Sequence, residues 1–329
     1  MNYIWLQRDL DKRSFFRDFT TEKAHGYLEC LPAYKPVRTK IESIIEKAVL
    51  GNSLRMLIPE WMRVYYYNID HYDYKDNEEY TILCSTQVIA RYSEQYLRKF
   101  RGKHTNIRLY AVVCDSMHAS STHMDFVRDK LLSGVFDRVL TYDRYDADEF
   151  GFDWFGYTYY SETPFEEEKD GIKNDVYFVG IDKGERNKII YSLYDYFIAH
   201  GIKAQFDIPK VKNPHKGFVY MEKGIPYAEV LKRVSASNVI IEILQEKQQV
   251  QSVRYFEAVR YNKKLLTNNK HLYDLPYYDA RYMRSFDQFE DIDLDWIKKK
   301  ETIDYGYKGD FSPMGLLAYL EKLNRLDRT

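Results

Sequence analysis

From residue 174 to residue 269 the chain alternates short apolar runs with helical stretches, in the order NDVYFVGI (174–181), GERNKIIYSLYDYFIAHG (184–201), IKAQFDI (202–208), PYAEVLKRVSAS (226–237), NVIIEIL (238–244), SVRYFEAVRYN (252–262) and KKLLTNN (263–269). Strands that are apolar on both faces and separated by helices point to a parallel sheet, because each parallel pair needs a crossover and the crossovers cover the sheet. The pattern predicts a doubly wound, Rossmann-like sheet. The first half repeats it less cleanly, with helix-like KPVRTKIESIIEKAVL, strand-to-helix TILCSTQVIA (81–90), strand IRLYAVVCD (107–115), helix HMDFVRDKLLSG (123–134) and strand RVLTYD (138–143). An acidic, aromatic stretch from 146 to 171 reads as the hinge, with the charge run 166–170 facing solvent.

At 329 residues the chain exceeds the ~250–300 at which one core usually splits. The expectation is therefore an α/β protein of two Rossmann-like domains facing each other across a cleft. Their bounds are placed at 1–155 and 156–310, with a carboxy-terminal helix in 311–329 near the domain junction. Lys and Arg total 49 against 50 Asp and Glu, so no global field recruits nucleic acid. One local basic patch stands out: Arg91, Arg98, Lys99, Arg101, Lys103 and Arg108 face a single acid, Glu94. It reads as a helix end in water or as a contact with phosphates or lipid headgroups. Three cysteines without C-x-x-C spacing indicate neither a disulfide framework nor a zinc site and fit a reducing cytosol. The amino terminus lacks the features of a signal peptide, and no stretch approaches the ~20 apolar residues of a membrane span. The 32 tyrosines have no functional account in the sequence.

In a doubly wound sheet, ligands sit beyond the carboxyl ends of the strands. Three segments fall at such ends: Gly180 to Arg186, Leu244 to Arg254 and Thr267 to Asn269. In VYFVGIDKGER, Gly180 lets backbone approach a ligand, the following helix offers free N–H groups, and Lys183 and Arg186 can neutralise an anion. The spacing is neither G-x-G-x-x-G nor that of a P-loop. On the helix of 252–262, Val253, Phe256 and Val259 share one side, while Arg254, Glu257 and Tyr261 form a separate stripe. That stripe is either a solvated face with a weak i,i+3 ion pair or part of a site.

VYFVGIDKGER, IPYAEVLKRVSASNVIIEI and QQVQSVRYFEAVRYNKKLLTNN together resemble the carboxy-terminal domain of bacterial glycosyltransferases of lipopolysaccharide and capsular polysaccharide biosynthesis, which have the GT-B fold. The likeness covers roughly residues 174–285, and FDRVLTYDRYDADEFGF (136–152) is similar to the segment closing that family's amino-terminal domain. The resemblance implies that residues 156–310 bind a nucleotide-diphosphate sugar and that residues 1–155 bind the acceptor, a glycan or lipid-linked oligosaccharide. It implies transfer to a surface polysaccharide; with the cysteine spacing, the basic patch and the place of the Asp-x-Asp triplets, the expectation is a cytoplasmic enzyme, weakly peripheral at the inner face of the membrane, with no cofactor and no metal. Carried over by position, Lys183 and Arg186 face the diphosphate, Ser252 lies beside it at a helix amino terminus, and Glu257 holds the ribose. Gly180, Gln248 and Arg254 complete the expected donor-binding set.

Departures from the family pattern are Val250 where it has a glycine, Gln251 and Ser252 for its Leu-Thr, and Tyr261 near the helix end for a second glycine. A β-branched residue tolerates positive φ poorly, so the loop before the helix must differ in shape or have lost its donor. Asp115, at the end of IRLYAVVCD, is the candidate catalytic base, with His118 and His123 beside it. The Asp-x-Asp triplets in DAD (146–148) and DIDLD (291–295) fall outside the inferred donor pocket and are not read as metal sites. Two other functions stay open: a catalytically silent GT-B-like module that binds a glycan or protein, and another nucleotide-using α/β enzyme such as a sugar-phosphate epimerase.

Overall fold

The computed structural model describes residues 1–7, 28–35, 39–50, 57–113, 116–118, 124–155, 171–181, 186–209, 215–221, 225–244 and 250–326. The chain divides into two compact units, Met1–Ser161 with Pro313–Thr329, and Glu162–Ser312. Each is built on one six-stranded, all-parallel sheet with helices against it.

The first unit orders its strands β2-β1-β3-β4-β5-β6. These are β1 (Asn2–Gln7), β2 (Leu28–Pro32), β3 (Tyr80–Ser85), β4 (Ile107–Val113), β5 (Arg138–Thr141) and β6 (Asp153–Trp154). The period of two sorts their side chains cleanly. Ile4, Leu6, Ile82, Leu109 and Ala111 join a core with Val88 and Ile89 of α3 (Thr86–Ile89) and with Leu97 and Phe100 of α4 (Glu94–Lys103). Tyr3, Trp5, Leu83, Tyr110, Val112 and Leu140 form the opposite face. There they meet Leu316, Leu317, Leu320 and Leu323, one stripe of the carboxy-terminal helix Pro313–Leu326. At the end of that helix Asn324 accepts from Tyr110 Oη and Arg108 Nη1, both at 3.0 Å, and donates to Tyr3 Oη at 3.0 Å. The last helix of the chain is thus a structural layer of the first unit.

The second unit has β7 (Asn174–Val179), β8 (Ala204–Pro209), β9 (Val219–Met221), β10 (Ser237–Glu242), β11 (Lys264–Thr267) and β12 (Met283–Ser285). Their order, β12-β11-β10-β7-β8-β9, is that of a dinucleotide-binding sheet, and it reverses direction between β7 and β10. Val176, Phe178, Phe206, Val239, Ile241 and Leu266 pack on one face against Ile190, Leu193 and Phe197 of α7 (Arg186–Ala199). Gly201, at φ +70°, closes α7 as its position in the sequence predicts. Lys264, the second lysine of KKLLTNN, has no exposed surface. Its Nζ donates to Trp296 O (2.8 Å) and Lys299 O (2.5 Å) and pairs with Glu301 at 2.9 Å, which satisfies a charge that would otherwise be costly to bury.

Candidate functional site

The reversal between β7 and β10 is where an open parallel sheet leaves a crevice, and several segments flagged from sequence meet there. Gly180 follows the end of β7. A Cβ at this position would lie 2.9 Å from Arg186 Nη2 and 2.9 Å from Phe178 Cζ, so only glycine lets the guanidinium lie where it does. Arg186 opens α7, whose first turn carries no acid, and its guanidinium sits 5.5 Å from the Phe178 ring centroid. Its Nε is enclosed with no hydrogen-bond partner among the described residues. Burial, then the nearby charge of Arg254, push its pKa below the usual arginine value, opposed by Glu242. A largely buried cation left without a carboxylate partner among the described residues, at the positive end of a helix, is poised for an anion.

Across the reversal, Glu242 ends β10 with no exposed surface. Its Oε1 accepts from the Ser252 N–H at 2.6 Å and its Oε2 from Thr267 Oγ1 at 2.7 Å. Burial raises its pKa, while those hydrogen bonds and Arg254 pull it down. Ser252 caps α9 (Val253–Arg260), its Oγ accepting from the Arg254 N–H at 3.2 Å. Glu242 thereby ties β10, β11 and the start of α9 into one frame. Sequence reasoning passed over it, although a carboxylate inside the apolar run NVIIEIL was the available signal.

The solvated reading of the α9 stripe does not hold. Tyr255 to Val259 are all buried, Glu257 has no exposed surface, and Arg254 keeps only 13% side-chain exposure. Arg254 Nη1 donates to Glu257 Oε2, and the Tyr227 hydroxyl of α8 (Tyr227–Ser235) lies against the same carboxylate. Burial raises the pKa of Glu257, and Arg254 opposes the rise. The carboxylate expected to be open to a ribose is therefore covered by its own arginine.

Val250 is buried and lies outside the left-handed region, where Asn262 (φ +49°) is the one non-glycine among the described residues. Val250 is one of the buried apolar side chains of the second unit. Tyr261, where the resemblance has its second glycine, lies outside the left-handed region (φ −109°), and the residue after it, Asn262, adopts it. The Asn262 N–H donates to Val259 O and the Lys263 N–H to Ala258 O, closing the helix with a left-handed cap.

Asp115, His123, Lys183 and Gln248 lie outside the described residues. His118 is exposed, with Nε2 2.8 Å from Glu149 Oε2. Asp146 of the first Asp-x-Asp triplet is buried at the start of α6 (Arg144–Phe150), with Oδ2 accepting from the Met117 N–H at 2.7 Å. In the second triplet Asp293 caps the helix Leu294–Lys298 and pairs with Arg284 at 2.5 Å. Asp293 serves as a helix cap and Asp146 holds the Met117 backbone, and among the described residues no group of three or more His, Cys, Asp or Glu side chains is placed to hold a metal ion. Most of the basic patch is spent internally. Arg98 pairs with Glu94 at 2.7 Å, Arg101 pairs with Asp137, and Lys103 lies 3.7 Å from Asp70. No helix among the described residues is long and apolar enough to cross a membrane.

No family model matches the chain, and no curated protein matches it in sequence. Among solved structures it is similar to a mutant of the T4 phage BGT in complex with UDP-glucose, with 14% identity, 91% of this chain and 89% of that chain covered, and a TM-score of 0.47. Spinosyn rhamnosyltransferase SpnG complexed with spinosyn aglycone follows at 11% identity, with 81% and 80% covered and a TM-score of 0.41. The glycotransferase of kitacinnamycin gives 10%, 98% and 93% covered, and 0.38. At such values the likeness carries no inference about chemistry.

Proposed function

We propose that the second unit binds a nucleotide-diphosphate sugar and that the chain is a GT-B-type glycosyltransferase acting on a surface-polysaccharide or lipid-linked glycan acceptor. The observation that carries this reading is Arg186, a largely buried guanidinium without a carboxylate partner among the described residues, held by Gly180 at the amino terminus of α7 and at the reversal point of the sheet. In the transfer, the bond from the anomeric carbon to the diphosphate oxygen breaks, the acceptor oxygen bonds that carbon, and negative charge collects on the departing nucleotide. Arg186, the α7 amino terminus and Lys183 stabilise that charge without a metal ion. Ser252 sets the start of α9 beside the phosphates. Glu257 reaches a ribose once Arg254 leaves it for the diphosphate, so the two contacts exchange in one movement. In the first unit Asp115 is the base expected from sequence, and His118, oriented by Glu149, is the described group with the same chemistry.

A thermal-shift screen of UDP, GDP, CMP and their sugar esters tests the reading. At a hundredfold excess over Kd a ligand stabilises by about 2.7 kcal/mol, roughly 5–10 °C for a domain of this size. Arg186→Ala should abolish the shift. A silent glycan-binding module would show none with any nucleotide, and an epimerase would release no nucleotide diphosphate when acceptor is supplied.

A further inference from the structure

One turn along α7 from Arg186, a cavity of about 450 Å3 opens at the carboxyl ends of β11 and β12. Ile189, Phe286 and Phe289 give it apolar walls; Asn268, Lys270, Asp287 and Gln288 give it polar ones. Its size falls within the range of small-molecule sites. Ile189 follows Arg186 by three residues, about 4.5 Å along the helix axis and on nearly the same face. The cavity thus adjoins the anion site on the α7 side, away from α9.

We infer that this cavity receives the transferred sugar, an uncharged hexosyl group, and that Lys270 and Asp287 determine which sugar is accepted. The inference rests on the donor reading above. With the diphosphate at Arg186 and the ribose directed toward α9, the group on the other side of the diphosphate is the sugar, and this cavity lies on that side. Its chemistry suits a pyranose. Phe286 and Phe289, with ring centroids 6.1 Å apart, offer apolar surface for the C–H face. Asn268 is fixed in place by accepting from the Leu244 N–H at 2.7 Å, which leaves Lys270, Asp287 and Gln288 as the adaptable polar groups, the first two of them charged. Their ion pair is 3.3 Å long with side chains 77% and 66% exposed, and so weak that sugar hydroxyls can replace it. One ammonium and one carboxylate cancel, so the cavity favours a neutral sugar and Asp287 disfavours a uronate.

The test is calorimetric titration with UDP, UDP-glucose and UDP-glucuronate, or the guanosine equivalents if the screen selects GDP. Wild type, Lys270→Ala and Asp287→Asn are compared, both substitutions being at exposed positions and checked by melting temperature. The expected result is a five- to tenfold loss of affinity for the hexose ester in each variant, unchanged affinity for the free diphosphate, and a gain for the glucuronate in Asp287→Asn. Equal changes for ester and diphosphate, or none for either, overturn the sugar assignment while leaving the donor site standing. Absence of nucleotide binding by wild type overturns the donor site, and the sugar assignment with it.

Discussion

Replacing Glu257 by alanine separates the buried reading of α9 from the solvated one by a wide margin. Were the Arg254–Glu257 pair on a wetted helix face, its loss would cost no more than ~0.5 kcal/mol. In the structure Glu257 has no exposed surface and Arg254 keeps 13% of its side chain exposed. Breaking a fully buried pair by removing one partner costs about 3–5 kcal/mol, because the remaining charge stays buried without compensation. Arg254 retains some access to water, so the expected cost is lower, about 2–4 kcal/mol. Urea denaturation at unchanged m value measures it, reported by the transition of the unit that nucleotide protects. The cycle closes with the single variants Glu257→Leu and Arg254→Met and the double variant Glu257→Leu/Arg254→Met, which should recover most of the loss, since hydrophobic replacement of a buried pair is often neutral or better. Glu257→Ala within ~0.5 kcal/mol of wild type, or strict additivity in the double variant, would refute the buried pair. The same variant cannot then be used alone to weigh the ribose contact, as part of any affinity loss will be structural; Glu257→Gln, which keeps volume and a hydrogen bond, is the better probe of binding.

Gly180→Ala forces a Cβ into Arg186 and Phe178, and because Phe178 is buried the arginine must give way. A stability cost of about 1–3 kcal/mol with loss of the nucleotide-induced thermal shift is expected. Leu320→Ala removes a fully buried side chain from the carboxy-terminal helix and should cost about 2–5 kcal/mol in chemical denaturation, against the near-neutral result expected if that helix were a loose appendage. With Arg98, Arg101 and Lys103 already engaged, Lys99 remains of the central basic patch. At up to ~1 kcal/mol per basic residue, co-sedimentation with anionic vesicles should show no salt-dependent binding through it. Burial raises the Asp146 carboxyl from 3.8 to about 6, and its Oδ1 has no partner among the described residues. The folded state then holds its proton more tightly than the unfolded chain. The resulting stability is fully present below pH ~4 and lost as pH rises through about 6, so Asp146→Asn should stabilise by up to about 3 kcal/mol at pH ~7 and by little at pH ~4, read from melting curves.

The second unit was legible because its strands announce themselves. Val239, Ile240 and Ile241 are buried on both faces of a central strand, so the apolar run leaves no ambiguity with an amphipathic helix. The first unit was harder to read. NYIWLQ is a six-residue central strand whose alternating side chains, Tyr3 and Trp5 against Ile4 and Leu6, all find cores on opposite faces. At the very start of the chain, with no helix recognised after it, the run carried no context. The short strands β6, β9 and β12 have two or three residues each and lie below what periodicity resolves.

The site shows a different limit. Helical phase placed Arg254 and Glu257 on one stripe, and that was right; what phase cannot give is which side of the helix the protein covers. The answer depends on Tyr227 of α8, 30 positions away in sequence, whose hydroxyl lies against Glu257. Glu242 escaped notice for a related reason. An acid at the end of an apolar strand looks like a strand terminus facing water until Thr267 and the Ser252 N–H are found converging on it. Local pattern identifies the elements, and strand order then decides what their ends hold in common. Here the order β11-β10-β7 brings one cation unpaired among the described residues, Arg186, to a frame in which both buried carboxylates already have partners. That arrangement, a guanidinium outside every ion pair among the described residues at a helix amino terminus, is a property of the assembled sheet rather than of any segment of it. It is also why charge reversal should be decisive. Arg186→Glu would place three carboxylates around the crevice and convert an anion site into one that repels phosphate, whereas the same reversal at exposed Lys270 would leave free nucleotide affinity nearly intact.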